Sequence, residues 1–262
     1  MINMSEVKYM TAENYGDGMG QQIQRRISIW AYCKLNGVKY VHNPIESLQH
    51  NYSNDGEFEN KADNFFNLGE GELRRSDVGE SQITTKLCMN DYFDENGVDL
   101  YDKVRDEFRE KYFNTEKPKL VFDESKKNVA VHVRRGDIVG KKHRFRKRGN
   151  EDEYFISAME NIRDNSDEEC KFYVYTQTRT TKQGKMRRAS SSMFDNFRNL
   201  DMDVELVING CPFSDIHHIM MSDVIVMSKS AFSYVPALFS DAHVIYNKFW
   251  NGPKSYWEIK EA

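Results

Sequence analysis

Several side chains able to handle an anion crowd the end of one apolar run. Val129-Ala130-Val131-His132-Val133 leads straight into Arg134, Arg135, Gly136 and Asp137. The β-branched run, bounded upstream by the polar residues Asp123 to Asn128, predicts a short buried strand. Ligands of open α/β sheets bind just outside the carboxyl ends of parallel strands. Two arginines at such an end would face an anion, and a guanidinium meets phosphate in a bidentate fork. The plainer alternative is a strand end held by an Arg–Asp pair. A second constellation is Ser228-Lys229-Ser230-Ala231-Phe232-Ser233, which follows an apolar strand over Val224 to Met227 and opens a helix. Free backbone N–H groups, the helix dipole and the serine hydroxyls would all favour an anion there; N-capping by Ser228 or Ser230 is the alternative. Together the two sites suit a diphosphate. A third stretch, Asn14-Tyr15-Gly16-Asp17-Gly18-Met19-Gly20, is a glycine-rich turn that carries an acid. It lacks the third glycine of the dinucleotide fingerprint, so a simple tight turn remains open.

The elements that must position these groups follow from periodicity. Val7 to Thr11 reads as a strand, Gln21 to Asn36 as a helix stopped by Gly37, and Lys39 to His42 as a strand, which makes a βαβ unit around the glycine turn. Residues 43–80 are polar and acidic apart from Phe65, Phe66 and Leu68, and read as a long surface excursion. Gln82 to Met89 predicts a strand. Leu100, Val104, Phe108 and Tyr112, spaced by four, predict a helix over Val98 to Phe113. The charged stretch Thr115 to Asn128, with Pro118, separates two halves, placed at 1–118 and 119–262. Downstream of the basic run the expected order is helix Glu153 to Asn165, strand Lys171 to Tyr175 ending at Thr176, helix Lys185 to Leu200, strand Val204 to Ile208, helix Pro212 to Met221, strand Val224 to Met227, helix Ala231 to Phe239 and strand His243 to Ile245. Alternating strands and helices imply a parallel sheet covered on both faces.

Composition narrows the class. The chain has 262 residues, 39% hydrophobic and 30% charged, with a net charge of -4. That fits a folded soluble protein and gives no general attraction to nucleic acid; no apolar run is long enough to span a bilayer. Residues 1–10 show no signal-peptide pattern. Cys33, Cys88, Cys170 and Cys211 are scattered without metal-ligand spacing, which favours free thiols and a cytoplasmic setting, or a catalytic domain of a longer chain. The Asp201-x-Asp203 pair resembles a metal-binding D-x-D, but it precedes a strand instead of ending one, so a solvated loop is expected and no metal is assigned. The basic run Lys141 to Arg148 could bind nucleic acid, yet it holds one aromatic, and a loop clamping an acidic substrate suits it better. Arg135-Gly136-Asp137 is an adhesion tripeptide that a buried strand end would hide.

Four of these segments resemble the α1,6- and α1,2-fucosyltransferases and the protein O-fucosyltransferases. They are His132-Val133-Arg134-Arg135-Gly136-Asp137, Asp215 to Val226, Ser228 to Ser233 and the glycine loop Gly16 to Gln22. The resemblance implies an α/β fold of GT-B type, with two Rossmann-like domains facing a cleft, an acceptor-side N-terminal one and a C-terminal one for the donor. It implies inverting transfer of a sugar, fucose from GDP-fucose, to a glycan hydroxyl, without a cofactor or a required metal. A different donor such as a UDP-pentose stays open. The donor-nucleotide residues implied are Gly18, Met19, Gly20, His132, Arg134, Asp137, Thr176, Asp215, Ser228, Ser230, Ala231 and Phe232. Arg134 would stabilise the leaving diphosphate, and Asp17 would be the base for the acceptor hydroxyl; a purely structural role in the turn is its alternative. Some protein O-fucosyltransferases place a glutamate in the comparable loop. The acid that α1,6 relatives carry about ten residues after their motif histidine is replaced here by Lys141 and Lys142.

Overall fold

A computed structural model of the chain describes residues 7–136, 138, 149–182, 185–188 and 190–260. It forms two units, residues 1–117 and 118–262.

The first unit grows from β1 (Tyr9–Ala12), the two-residue strand β2 (Asp17–Gly18) and helix α1 (Met19–Asn36). Ile23, Ile27, Trp30 and Ala31 recur at helical spacing and are fully buried. Gly37 ends α1 in the left-handed region, φ 66°, where its N–H reaches Cys33 O; a side chain there would cost conformational energy. β3 (Lys39–His42), β4 (Leu48–Gln49), α2 (Phe58–Phe66), β5 (Leu73–Arg74), β6 (Ile83–Lys86), α3 (Asn90–Asn96), a 3₁₀ helix (Val98–Val104) and α4 (Arg105–Phe113) follow. The main sheet runs β5-β3-β1-β6, all parallel.

Two sequence expectations are corrected in this unit. Residues 43–80 are not a surface excursion. Phe58, Ala62, Phe65 and Phe66 fall at i, i+4, i+7 and i+8 and bury the face of α2, while β5 adds an edge strand to the sheet. The helix expected over 98–113 is 3₁₀ in its first half. Its buried residues Val98, Tyr101 and Val104 are spaced by three, the repeat of that helix, and α geometry begins only at Arg105.

The second unit contains β7 (Lys127–Val133), α5 (Asp152–Asp164), β8 (Cys170–Thr176), β9 (Arg179–Lys182), β10 (Lys185–Arg188), α6 (Asp195–Arg198), β11 (Val204–Ile208), α7 (Pro212–Met221), β12 (Val224–Val226), α8 (Ala231–Phe239), β13 (His243–Tyr246) and β14 (Glu258–Ile259). The sheet order is β11-β8-β7-β12-β13-β14, parallel throughout. Numbered along the unit, this is 3-2-1-4-5-6, the order of doubly wound nucleotide-binding sheets. One face packs Val129, Val131, Val133, Phe172 and Val174 against Phe155 and Met159 of α5 and Phe194 and Phe197.

The helix expected over 185–200 is the main miss. Arg179–Lys182 and Lys185–Arg188 pair antiparallel with Arg179 opposite Arg188, and helix among the described residues is confined to a 3₁₀ turn (Ser191–Phe194) and the short α6. In the sequence the β-branched pair Thr180-Thr181 followed shortly by Gly184 is a strand-and-turn signal that outweighs the helix propensity of the lysines and arginines. No helix among the described residues is long and apolar enough to cross a membrane.

Candidate active site

The second sheet reverses its winding between β7 and β12, so a crevice is expected where their carboxyl ends diverge. His132 is the penultimate residue of β7, and Ser228 follows β12. The Ser228 hydroxyl and His132 Nδ1 are hydrogen-bonded at 2.8 Å, with Ser228 fully buried. The imidazole lies 5.2 Å from the Phe232 ring. Burial, and after it the charge of Arg134, pushes the His132 pKa down to about 3; the ring is neutral at any physiological pH. Arg134 Nη1 donates to Lys229 O at 3.2 Å, which ties the first motif to the serine-rich one. Ser230 N-caps α8, accepting from Phe232 N at 3.3 Å, and Ala231 is the first helical residue. The capping alternative is therefore realised at Ser230, and the same geometry leaves the helix start beside Arg134.

Arg135 does not join Arg134. It is buried, ion-paired with Asp152 in the first turn of α5, donates to Arg134 O at 2.9 Å and lies over the Phe155 ring. The expectation that two arginines face an anion is corrected for Arg135, which is turned into the fold. It is a strut, because a guanidinium this close to the α5 start finds a carboxylate inside the fold. Gly136 N donates to Gln177 O at 2.7 Å, and a Cβ at this position would stand 3.0 Å from Arg179 O. The turn after β7 is thus pressed against the segment after β8. Thr176 is buried and donates to Val133 O at 2.7 Å, fixing the two strand ends together. Asp137 and the basic run 141–148 lie outside the described residues.

Asp215 sits in the first turn of α7, only 8% exposed. No described residue donates a hydrogen bond to its carboxylate, and burial, partly offset by Arg179, pushes its pKa up to about 7. Its neighbours are the bare backbone of Gly210, where a Cβ would stand 2.6 Å from Oδ1, and the electrostatically coupled Tyr175, whose buried hydroxyl also has no partner among the described residues. A buried charged group left in this condition is costly.

Asp17 and Gly18 form β2 in the other unit, paired with Leu48 and Gln49. Helix α1 begins at Met19, two residues earlier than the spacing predicted, so Gly18 is its N-cap and Met19 and Gly20 are its buried first turn. Asp17 Oδ2 pairs with Arg25 Nη2 at 2.7 Å. Thus His132, Arg134, Thr176, Asp215, Ser228, Ser230, Ala231 and Phe232 belong to one unit, and Asp17 to Gly20 to the other. Among the described residues no cluster of His, Cys, Asp or Glu could hold a metal; Asp203 of the D-x-D pairs with Lys126 at 3.1 Å.

Sequence reasoning missed Arg25, Tyr175 and Asp152. Arg25 is eight residues from Asp17 across a strand–helix junction, and Asp152 lies beyond the basic run from Arg135, so no local spacing links either pair. Tyr175 reads simply as a strand aromatic.

Comparison with known proteins follows this geometry. The model of the family described as glycosyl transferase family 11 matches residues 90–262. No curated protein sequence matches the chain. Among solved structures, the fucosyltransferase NodZ from Bradyrhizobium is similar over 88% of this chain and 93% of its own, at 12% identity and a TM-score of 0.44. POFUT1 in complex with GDP is similar over 90% and 95%, at 8% identity and 0.41. The chain belongs to glycosyl transferase family 11, and it is a glycosyltransferase.

Proposed function

We propose that this enzyme transfers fucose from GDP-fucose to a glycan hydroxyl with inversion, and that the reaction requires no metal. The second unit takes the donor and the first supplies the acceptor-side groups. The observation that carries the reading is Asp215, a buried carboxyl with no hydrogen-bond donor among the described residues, at the nucleotide end of a doubly wound sheet. Guanine offers two adjacent donors, N1–H and the N2 amino group, which a carboxylate accepts side by side. Uracil offers one N–H flanked by carbonyls, and adenine places an acceptor beside its amino group. Asp215 therefore favours a guanine nucleotide. The UDP-pentose alternative has no comparable observation behind it.

The chemistry follows from the same groups. The acceptor oxygen attacks the anomeric carbon as the bond from that carbon to the β-phosphate oxygen breaks. Negative charge grows on the departing GDP, where the Arg134 guanidinium and the N–H groups at the start of α8 meet it, so they act most strongly in the transition state. The acceptor proton passes to Asp17. Its Oδ2 is held by Arg25, and its Oδ1 receives no hydrogen bond from a described residue. A positioned base of this kind contributes about 10²–10⁴-fold.

A thermal-shift comparison of GDP, UDP and ADP tests the donor assignment. At about 100 times its Kd, GDP should add ~2.7 kcal/mol of stability by mass action, with UDP and ADP far behind. Greater stabilisation by UDP or ADP overturns it. Asp17→Asn should bind GDP normally and lose transfer; transfer at the parental rate would assign the base elsewhere.

A further inference from the structure

We propose that Tyr15, Asp17 and Arg25 form a subsite for a neutral pyranose, the acceptor sugar. The inference rests on the reading of the protein as a sugar-transferring enzyme with its acceptor-side groups in the first unit.

Topology selects the place first. In the first sheet the chain runs β1, β3, β5 outward on one side and then crosses to β6 on the other, so its winding reverses at β1. Ligands of such sheets bind outside the carboxyl ends of the strands at this reversal. Tyr15 and Asp17 lie three and five residues beyond the end of β1.

The side chains there suit a sugar. Tyr15 is 55% exposed although one face of its ring is covered by Arg25, whose guanidinium carbon stands 4.8 Å from the ring centroid. An aromatic held by a cation on one face keeps its orientation and leaves ring surface for the C–H face of a pyranose. Arg25 also holds Asp17 at 2.7 Å, and its own side chain is 12% exposed, with Nη1 buried and unpartnered among the described residues. One guanidinium thus orients both the stacking ring and the carboxylate that accepts from sugar hydroxyls. The backbone under them is fixed. Asp17 N donates to Tyr15 O at 2.9 Å, Gly16 O accepts from Gln49, and a Cβ on Gly18 would stand 3.0 Å from the His50 ring. Preorganisation of this kind lowers the entropy lost on binding.

Charge decides the ligand class. Asp17 neutralises Arg25, so the subsite carries no surplus positive charge for a phosphate or an acidic sugar. A neutral, hydroxyl-rich ring with one apolar face is the chemistry that fits.

Saturation-transfer difference NMR on the full chain, with the methyl β-glycosides of galactose, glucose and N-acetylglucosamine as probes, tests this. At least one glycoside should receive saturation at its ring C–H protons. Tyr15→Ala should weaken it roughly tenfold, as expected for loss of one stacking partner, whereas Tyr15→Trp should retain it. Arg25→Met should weaken it too. Because Tyr15 is exposed, the Tyr15 variants should keep the parental Tm and GDP affinity. No saturation of any glycoside in the parent protein, or equal saturation in Tyr15→Ala, overturns the subsite. The measurement needs no donor, so failure of GDP to bind would count against the donor reading and leave this result to stand by itself.

Discussion

At the scale of single residues, Arg134 and Asp215 do different work, and their variants should fail differently. Arg134 reaches Lys229 O from the end of β7, and its fork is the group proposed to meet charge on the leaving diphosphate. Arg134→Ala should lower kcat by about 10²–10³-fold, ~3–4 kcal/mol, as loss of an oxyanion-type donor does. Arg134→Lys should recover little, since an ammonium cannot present two parallel donors; near-normal kcat in the lysine variant would refute the bidentate role. Asp215 has its pKa raised from 3.8 to about 7 by burial. Below about pH 4 both folded and unfolded states hold the proton, and this carboxyl costs nothing. Between about pH 4 and pH 7 the unfolded chain ionises first, so the group's contribution to stability is lost as pH rises, and above pH 7 the loss is constant. At ~1.4 kcal/mol per pH unit the penalty is on the order of 4 kcal/mol at most. Asp215→Asn should therefore raise Tm at pH 8, gain nothing at pH 4, and lose selective binding of GDP. Melting curves at the two pH values with and without GDP read all three outcomes.

At the scale of elements, the ends of strands are held by buried polar hubs. Arg26 on α1 is fully buried. It donates to Asn43 O at 3.1 Å, Gln22 Oε1 at 2.6 Å and Pro44 O at 3.2 Å, and it also reaches the Asn14 side-chain oxygen. One guanidinium thus joins the segment after β1, which carries Asp17, to the segment after β3. Arg26→Leu would strand several buried acceptors and should destabilise the protein by at least ~3 kcal/mol, measured by denaturant titration. Much of the stabilisation by GDP should survive, because His132, Arg134, Asp215 and the start of α8 lie in the other unit. Gly136 tests the turn after β7. Gly136→Ala would bring a methyl to 3.0 Å from Arg179 O and 3.3 Å from Gln177 O. That should cost roughly 1–3 kcal/mol and weaken GDP binding, since Arg134 and Gly136 share one turn.

At the scale of the whole molecule, two parallel sheets each reverse their winding beside proposed site residues, at β1 in one and at β7–β12 in the other. Hydrogen exchange should report this division. GDP should slow amide exchange at 129–136, 211–218 and 227–233 in the second unit and leave β3 and α4 of the first unchanged. Equal protection in both units would contradict the assignment of the donor to one of them. Transfer should also survive excess EDTA, because the positive charge proposed for the diphosphate comes from Arg134 and the start of α8. Activity lost in EDTA and restored by manganese would refute metal independence.

The local pattern of the chain determined the elements that depend on near neighbours. The helices Pro212–Met221 and Ala231–Phe239 and the strand Lys39–His42 have the limits that periodicity, proline placement and flanking polar residues predict. The strand end at His132-Val133 and the helix start at Ser230-Ala231 were equally legible, because strand ends and helix starts are written in contiguous residues. Tertiary structure decided what depends on partners distant along the chain. It turned Arg135 onto Asp152 and Asp17 onto Arg25, paired 179–182 with 185–188 where a helix was expected, and folded residues 58–66 down as α2. In each case the deciding energy is an ion pair, a ladder or a buried face whose second half lies elsewhere in the sequence, and no local window contains both halves.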